Sequence, residues 1–309
     1  MAGRLGRWGH VIGVAALVAG APLLAACSDA DGDRGGAPTV PSTAPIGTPP
    51  STPTTAPEAS VPPASITAGA PGTLAETTTS VVTALPPTVA PGAVVVIDPG
   101  HNGANGAHPS DINRLVDAGG FQKACNTTGT AEGALTESSF NLDLARLVRS
   151  RLEQAGVQVL LTRDDDSGWG PCIDERGQVA AQAGADALVS LHADGADPGA
   201  HGFHVIHPTA IAGYTDTTAV ASATLAADLR DALVDGDHAP ATYAGSDGLV
   251  ARGDLGTINR AETPAAMVEV GNMHNPGDLD MMTSLDERAQ LADALAAGVL
   301  RFLAGEEPG

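Results

Sequence analysis

The sequence predicts an α/β sandwich, with helices on both faces of a mainly parallel sheet. Three observations carry this. Apolar runs of strand length alternate with segments of helical periodicity from Ala93 onward. The runs are rich in valine and leucine with little polar alternation, as expected of strands covered on both faces. The first ninety or so residues show neither pattern, which leaves about 215 residues for one domain with a sizeable core.

Each element follows in order. Residues 93–98 (AVVVID) form an apolar run of strand length. Residues 137–154 place Phe140, Leu144, Leu147, Val148 and Leu152 on one helical face, with Thr136 as N-cap and Gly156 as stop. VQVLLT (157–162) is the next strand and 174–183 the next helix. A third strand lies within 185–193 and a fourth in GFHVIH (202–207). Residues 217–234 form an amphipathic helix, AAMVEVGNM (265–273) a buried strand and 284–304 a closing helix. In such sheets ligands gather at the carboxyl ends of the strands.

The leader reads differently. Arg4 and Arg7 precede an apolar stretch that ends in LLAAC at Cys27, which is the layout of a secretory signal peptide. Its last four residues resemble a bacterial lipobox, so residues 1–27 are expected to be a signal peptide with Cys27 as the lipidated N-terminus after cleavage. Residues 28–91 are Pro, Thr, Ser and Ala with no period, a composition that cannot bury enough surface to offset ordering. They are read as a disordered linker, and 92–305 as the folded domain. The chain is thus expected outside the cytoplasmic membrane, touching it only through the lipid. A formal charge of −21 excludes nucleic acid as a partner. With Cys27 lipidated, Cys125 and Cys172 remain, most simply a disulfide in an exported domain.

Polar residues then stand out at element ends. His101 closes the first strand in DPGHNG, His192 the third in SLHADG, Glu269 sits in VEVGNM, and Glu137 opens the first long helix. Two imidazoles and a carboxylate are a common zinc ligand set that leaves one position for water. A further carboxylate can then serve as general acid and base. The residues alone leave Glu132, Asp98, Asp194 and His204 competing for these roles, and there is no H-E-x-x-H helix. Asn102 and Asp98 are candidates to orient His101, or simply turn formers. His204 and His207 are expected to face solvent or to be hydrogen-bonded.

Taken in order, DPGHNG (98–103), TES (136–138), SLHADG (190–195) and VEVGNM (268–273) resemble the zinc-dependent N-acetylmuramoyl-L-alanine amidases of the Amidase_3 type. GPC followed by DER (170–176) and GFHV (202–205) are similar to the mycobacterial-type peptidoglycan amidases in particular. The resemblance spans nearly all of 93–304 and implies a twisted sheet of about six strands. It also implies one zinc ion on His101, Glu137 and His192, with Glu269 catalytic. The substrate would be peptidoglycan or its muropeptide fragments, cut between N-acetylmuramic acid and L-alanine. Arg252 lies in a segment resembling one near the family's cleft, where it would pair with a stem-peptide carboxylate or make a surface salt bridge. Asn272 would hold substrate or cap its strand. The loop after His192 is too short for the helical plug of some relatives, whereas 103–136 is long enough to cover the cleft, pinned by Cys125–Cys172. A monomer is expected. Two other readings use the same ligands: a zinc peptidase cutting within the stem peptide, and an exported zinc-binding lipoprotein.

Overall fold

The structure is a computed structural model that describes Val89 and residues 91–305. The expected signal peptide with Cys27, and nearly all of the linker 28–91, lie outside the described residues. Six strands form one sheet: β1 Val94–Pro99, β2 Gln158–Leu161, β3 Ala187–Asp194, β4 His204–Pro208, β5 Leu249–Arg252 and β6 Ala265–Asn272. Their order is β2-β1-β3-β6-β4-β5. Four of the five pairings are parallel; β4 and β6 pair antiparallel, so β4 and β5 run opposite to the other four strands. The reversal has a simple cause. Only residues 195–203 connect β3 to β4, and a parallel crossover needs a dozen residues or more.

Among the described residues, five helices of eight or more residues cover the sheet: α1 Glu137–Gln154, α2 Ile173–Ala183, α3 Ala219–Asp235, α4 Pro276–Thr283 and α5 Leu285–Ala304. On one face, α1, α3 and α5 pack against Val95, Ile97, Val189, Leu191, Val205 and Val268. The other face carries Val96, Leu188, Ile206 and Met267 under α2 and the turn at Gly256–Asn259. The expected apolar stripe on α1 is there: Phe140, Leu144, Val148 and Leu152 are all fully buried. Each such side chain contributes roughly 1.5–3 kcal/mol relative to exposure. Thr136 caps α1 by accepting from the Ser139 amide.

Three features depart from the sequence expectations. β3 runs on past His192 to Asp194. The edge strand β5 and the helix α4 were not expected, because four residues and eight residues carry too little periodicity. Within 103–136 the chain forms two small hairpins, Leu115–Asp117 with Gln122–Ala124 and Ala131–Glu132 with Leu135–Thr136. The Cys125–Cys172 disulfide is present, tying this segment to the N-terminus of α2.

Candidate metal centre

The site begins where β1 runs out. His101 has φ of 59°, in the left-handed region that few residues with a side chain adopt. Two buried guanidinium groups hold the turn in this shape. Arg176 donates to Asp98 at 2.6 Å, to the Pro99 carbonyl at 2.7 Å and to the His101 carbonyl at 2.6 Å. Arg163 donates to the carbonyls of Pro99, Gly100 and Ser138 at 2.6–3.0 Å. Ser190 and Thr162 complete the shell by donating to Asp98. Burial pushes the Asp98 carboxyl up, but Arg176 and these hydroxyls outweigh it and bring its pKa down to about 2.

Glu137 enters from the side as the first residue of α1, where the helix dipole favours a negative charge. Its Oε1 lies 3.1 Å from Nε2 of His101 and 2.9 Å from Nδ1 of His192. The Ala193 amide donates to the same oxygen at 3.2 Å, and the Thr130 amide to Oε2 at 2.9 Å. Burial raises the Glu137 pKa, yet the charge and hydrogen bonds of the two imidazoles hold it well below the usual carboxylate range. Burial in turn lowers His101, and Glu137 more than reverses this.

The donor set suits one cation. The ligand atoms of His101, Glu137 and His192 lie within 4.8 Å of one another, the one such group of three among the described residues. Nδ1 of His101 is 3.1 Å from the Thr127 carbonyl, a bond that fixes the ring and turns Nε2 inward. Space at the centre is kept by glycine. A Cβ at Gly100 would stand 2.3 Å from Cε1 of His192, and one at Gly129 would stand 2.8 Å from Oε2 of Glu137.

Glu269 stands beside the trio. It is the sheet partner of His192 across β3 and β6, and of His204 across β6 and β4. Its side chain is buried and its Oε2 meets no hydrogen-bond donor. Burial, with the charges of Glu137 and Asp194, pushes its pKa well above the ordinary value, against a weaker opposing pull from Arg252. A buried carboxyl with a raised pKa beside a cation site is suited to taking and returning a proton.

The other candidates fall in different places. Asp98 orients the His101 turn through Arg176. Asn102 is buried and donates to the Gly170 carbonyl, while its Oδ1 accepts from Gly103. Asn272 is fully buried and its amide is used within the protein. It donates to Asp197 and Ala200 and accepts from Ala196 and His274. These bonds brace the loop after β3. Arg252 is paired with Asp254 through two bonds of 2.7 and 2.8 Å. His204 is buried rather than solvent-facing, its pKa lowered to about 4 by desolvation. Sequence reasoning missed Thr127, Thr130 and Arg163, since loop residues and a lone arginine after a strand carry no pattern. Arg176 was signalled only by its place in DER.

The family pattern described as N-acetylmuramoyl-L-alanine amidase matches residues 95–301. The N-acetylmuramoyl-L-alanine amidase Rv3717 of Mycobacterium tuberculosis is 40% identical over 215 residues, covering 69% of this chain and 87% of that protein. The crystal structure of the amidase Ami1 from Mycobacterium smegmatis matches with a TM-score of 0.66 at 39% identity, over 70% of this chain and 99% of Ami1. The apo Ami1 of Mycobacterium abscessus matches with a TM-score of 0.65 at 41% identity, over 69% of this chain and all of that one.

Proposed function

The chain belongs to the N-acetylmuramoyl-L-alanine amidase family, and from that premise we propose how its residues divide the reaction between them. The enzyme is a peptidoglycan hydrolase that cleaves the amide bond between N-acetylmuramic acid and the L-alanine of the stem peptide. The observation that carries the proposal is the buried, unpartnered Glu269 carboxyl next to the converging His101, Glu137 and His192.

His101, Glu137 and His192 would hold one zinc ion. When bound, zinc supplies an acidified water and a positive charge for the carbonyl oxygen of the scissile amide. Glu269 accepts the proton of the attacking water at its free Oε2. It then returns that proton to the alanine nitrogen, because an amine anion is too poor a leaving group to depart unprotonated. Thr127 keeps the His101 ring turned, and Thr130 keeps Glu137 from swinging away. Arg252, through its field at Glu269 and its place on β5, would steady a carboxylate of the stem peptide.

Residues 92–305 make up the catalytic domain in this reading. The leader 1–27 directs export, lipid on Cys27 anchors the chain, and 28–91 gives reach towards the wall. No helix among the described residues is long and apolar enough to cross a membrane.

The test uses the purified domain and a defined muramyl-peptide, with products followed by mass spectrometry. Release of the intact peptide starting at L-alanine, lost with chelator and restored by zinc, is the expected result. Cleavage within the peptide would replace this reading with a stem-peptide peptidase, and stoichiometric zinc without cleavage would replace it with a zinc-binding protein.

A further inference from the structure

The polar row that contains the site does not stop at Glu269. Sheet register places His192, Glu269 and His204 side by side on β3, β6 and β4. Partnered residues of neighbouring strands project to the same face, their Cβ atoms about 4.5–5.5 Å apart in an antiparallel pair. His204 is 5% exposed, and its Nδ1 is buried without a hydrogen-bond partner. Tyr243 stands edge-on to the His204 ring with centroids 5.7 Å apart. Its ring is half-buried, and its hydroxyl is buried beside the Asp194 carboxylate. Desolvation, then the charges of Asp194 and Glu269 and a hydrogen bond to Asp194, keep that hydroxyl protonated. With Glu269 Oε2, two buried polar atoms at one end of the sheet thus have no partner, and the Tyr243 hydroxyl beside them is shared with Asp194. Native proteins rarely leave such atoms unpaired, and a group of them asks for a visitor that pairs them.

The identity of the visitor follows from the direction of the reaction, and here the inference rests on the amidase reading. Glu269 must reach the leaving nitrogen, so that nitrogen lies at the middle of the row. The carbonyl carbon lies towards His192 and the other proposed ligands. What remains of the substrate beyond the nitrogen is peptide, and it runs towards β4. We propose that His204 and the Tyr243 hydroxyl bind the first backbone amide of the departing stem peptide, on the side of Glu269 away from the metal ligands. A phenol donates to a peptide carbonyl, and a neutral imidazole can face either half of a peptide bond. His204 suits this role because a charged imidazole at this depth would need a counterion, whereas a peptide amide is neutral. Cation-binding by this pair is disfavoured for the same reason, and Arg252 supplies the positive field nearby.

The experiment compares two substrates. One is N-acetylmuramoyl-L-alanyl-D-isoglutamine; the other is N-acetylmuramoyl isopropylamide, which has the alanine branching but no following carbonyl. For the zinc-loaded wild type, kcat/KM should favour the dipeptide. Tyr243→Phe removes one hydroxyl and nothing else, and it should cut that preference about tenfold, the worth of one neutral hydrogen bond, while zinc content stays at one per chain. His204→Gln should lower the preference in the same direction; if that variant does not fold, Tyr243→Phe decides alone. A wild type without preference, or a Tyr243→Phe enzyme with the wild-type preference, overturns the inference. Zinc-loaded wild type that cleaves neither compound overturns the amidase reading instead, so the two failures are distinct.

Discussion

Replacing Glu269 by Gln keeps the size of the side chain and its place on β6 but removes its proton chemistry. The expected outcome is a fall in turnover of roughly 10²–10⁴-fold with zinc content unchanged by elemental analysis; a wild-type rate would sink the acid–base role. His101→Ala should instead lose the metal itself. Asp98 works at one remove. Its pKa of about 2, against 3.8 for an ordinary aspartate, means that the folded protein holds its charged form more tightly than the unfolded chain. The stability this confers, about 2 kcal/mol, is fully present above pH 4 and is lost as pH falls through 2. Asp98→Asn, which leaves Arg176 buried and uncompensated, should lose about 3–5 kcal/mol at neutral pH. In urea titrations the gap between wild type and Asp98→Asn should narrow as pH drops from 4 towards 2.

At the scale of elements, the site depends on where α1 starts and how closely β1 and β3 end together. Thr136 fixes the first, since the cap sets Glu137 at the first helical position. Thr136→Ala should cost about 1 kcal/mol of stability and weaken zinc binding in competition with a chromophoric chelator. Gly100 fixes the second. Its amide donates to the Leu191 carbonyl at 3.0 Å, and the ring of His192 occupies the space where a Cβ would be. Gly100→Ala should therefore lower zinc affinity while leaving the helical circular dichroism in place. Retained affinity would show that the His192 ring can move without losing its role. The elements themselves were legible. α1, α2, α3, α5 and five of the six strands fall where periodicity places them, because buried faces impose it. β5 and the hairpins of 103–136 did not, because short edge segments held by loop contacts leave no repeat.

Across the whole molecule, the segment 103–136 is held beside the main cores by a small apolar cluster of Val116, Cys125 and Cys172. Its hairpins add side-chain and backbone bonds, and Cys125 joins it to Cys172 across a sequence separation of 47. In the chain-entropy view that bridge stabilises the fold by about 4 kcal/mol. Reduction should lower the melting temperature by roughly 10 °C for a domain of this size. It should also loosen zinc, since Thr127, two residues past Cys125, holds the His101 ring. An unchanged melting temperature and affinity after reduction would show that backbone contacts alone fix the segment.

The sequence by itself determined the α/β class, the helices and strands with full apolar faces, and the family to which the chain belongs. It also singled out His101, Glu137, His192 and Glu269, because four short motifs in one order carry them. What it could not determine was which polar residues meet. Periodicity records whether a residue faces the core but not which strand lies next to it. The adjacency of β6 to both β3 and β4 is what sets Glu269 between His192 and His204. Long-range contacts likewise made Asn272 a loop brace, sent the Arg163 and Arg176 guanidiniums to the His101 turn and brought Tyr243 to the end of the row. Those assignments depend on sheet order and on bonds between residues up to 78 positions apart, which no local pattern in the chain records.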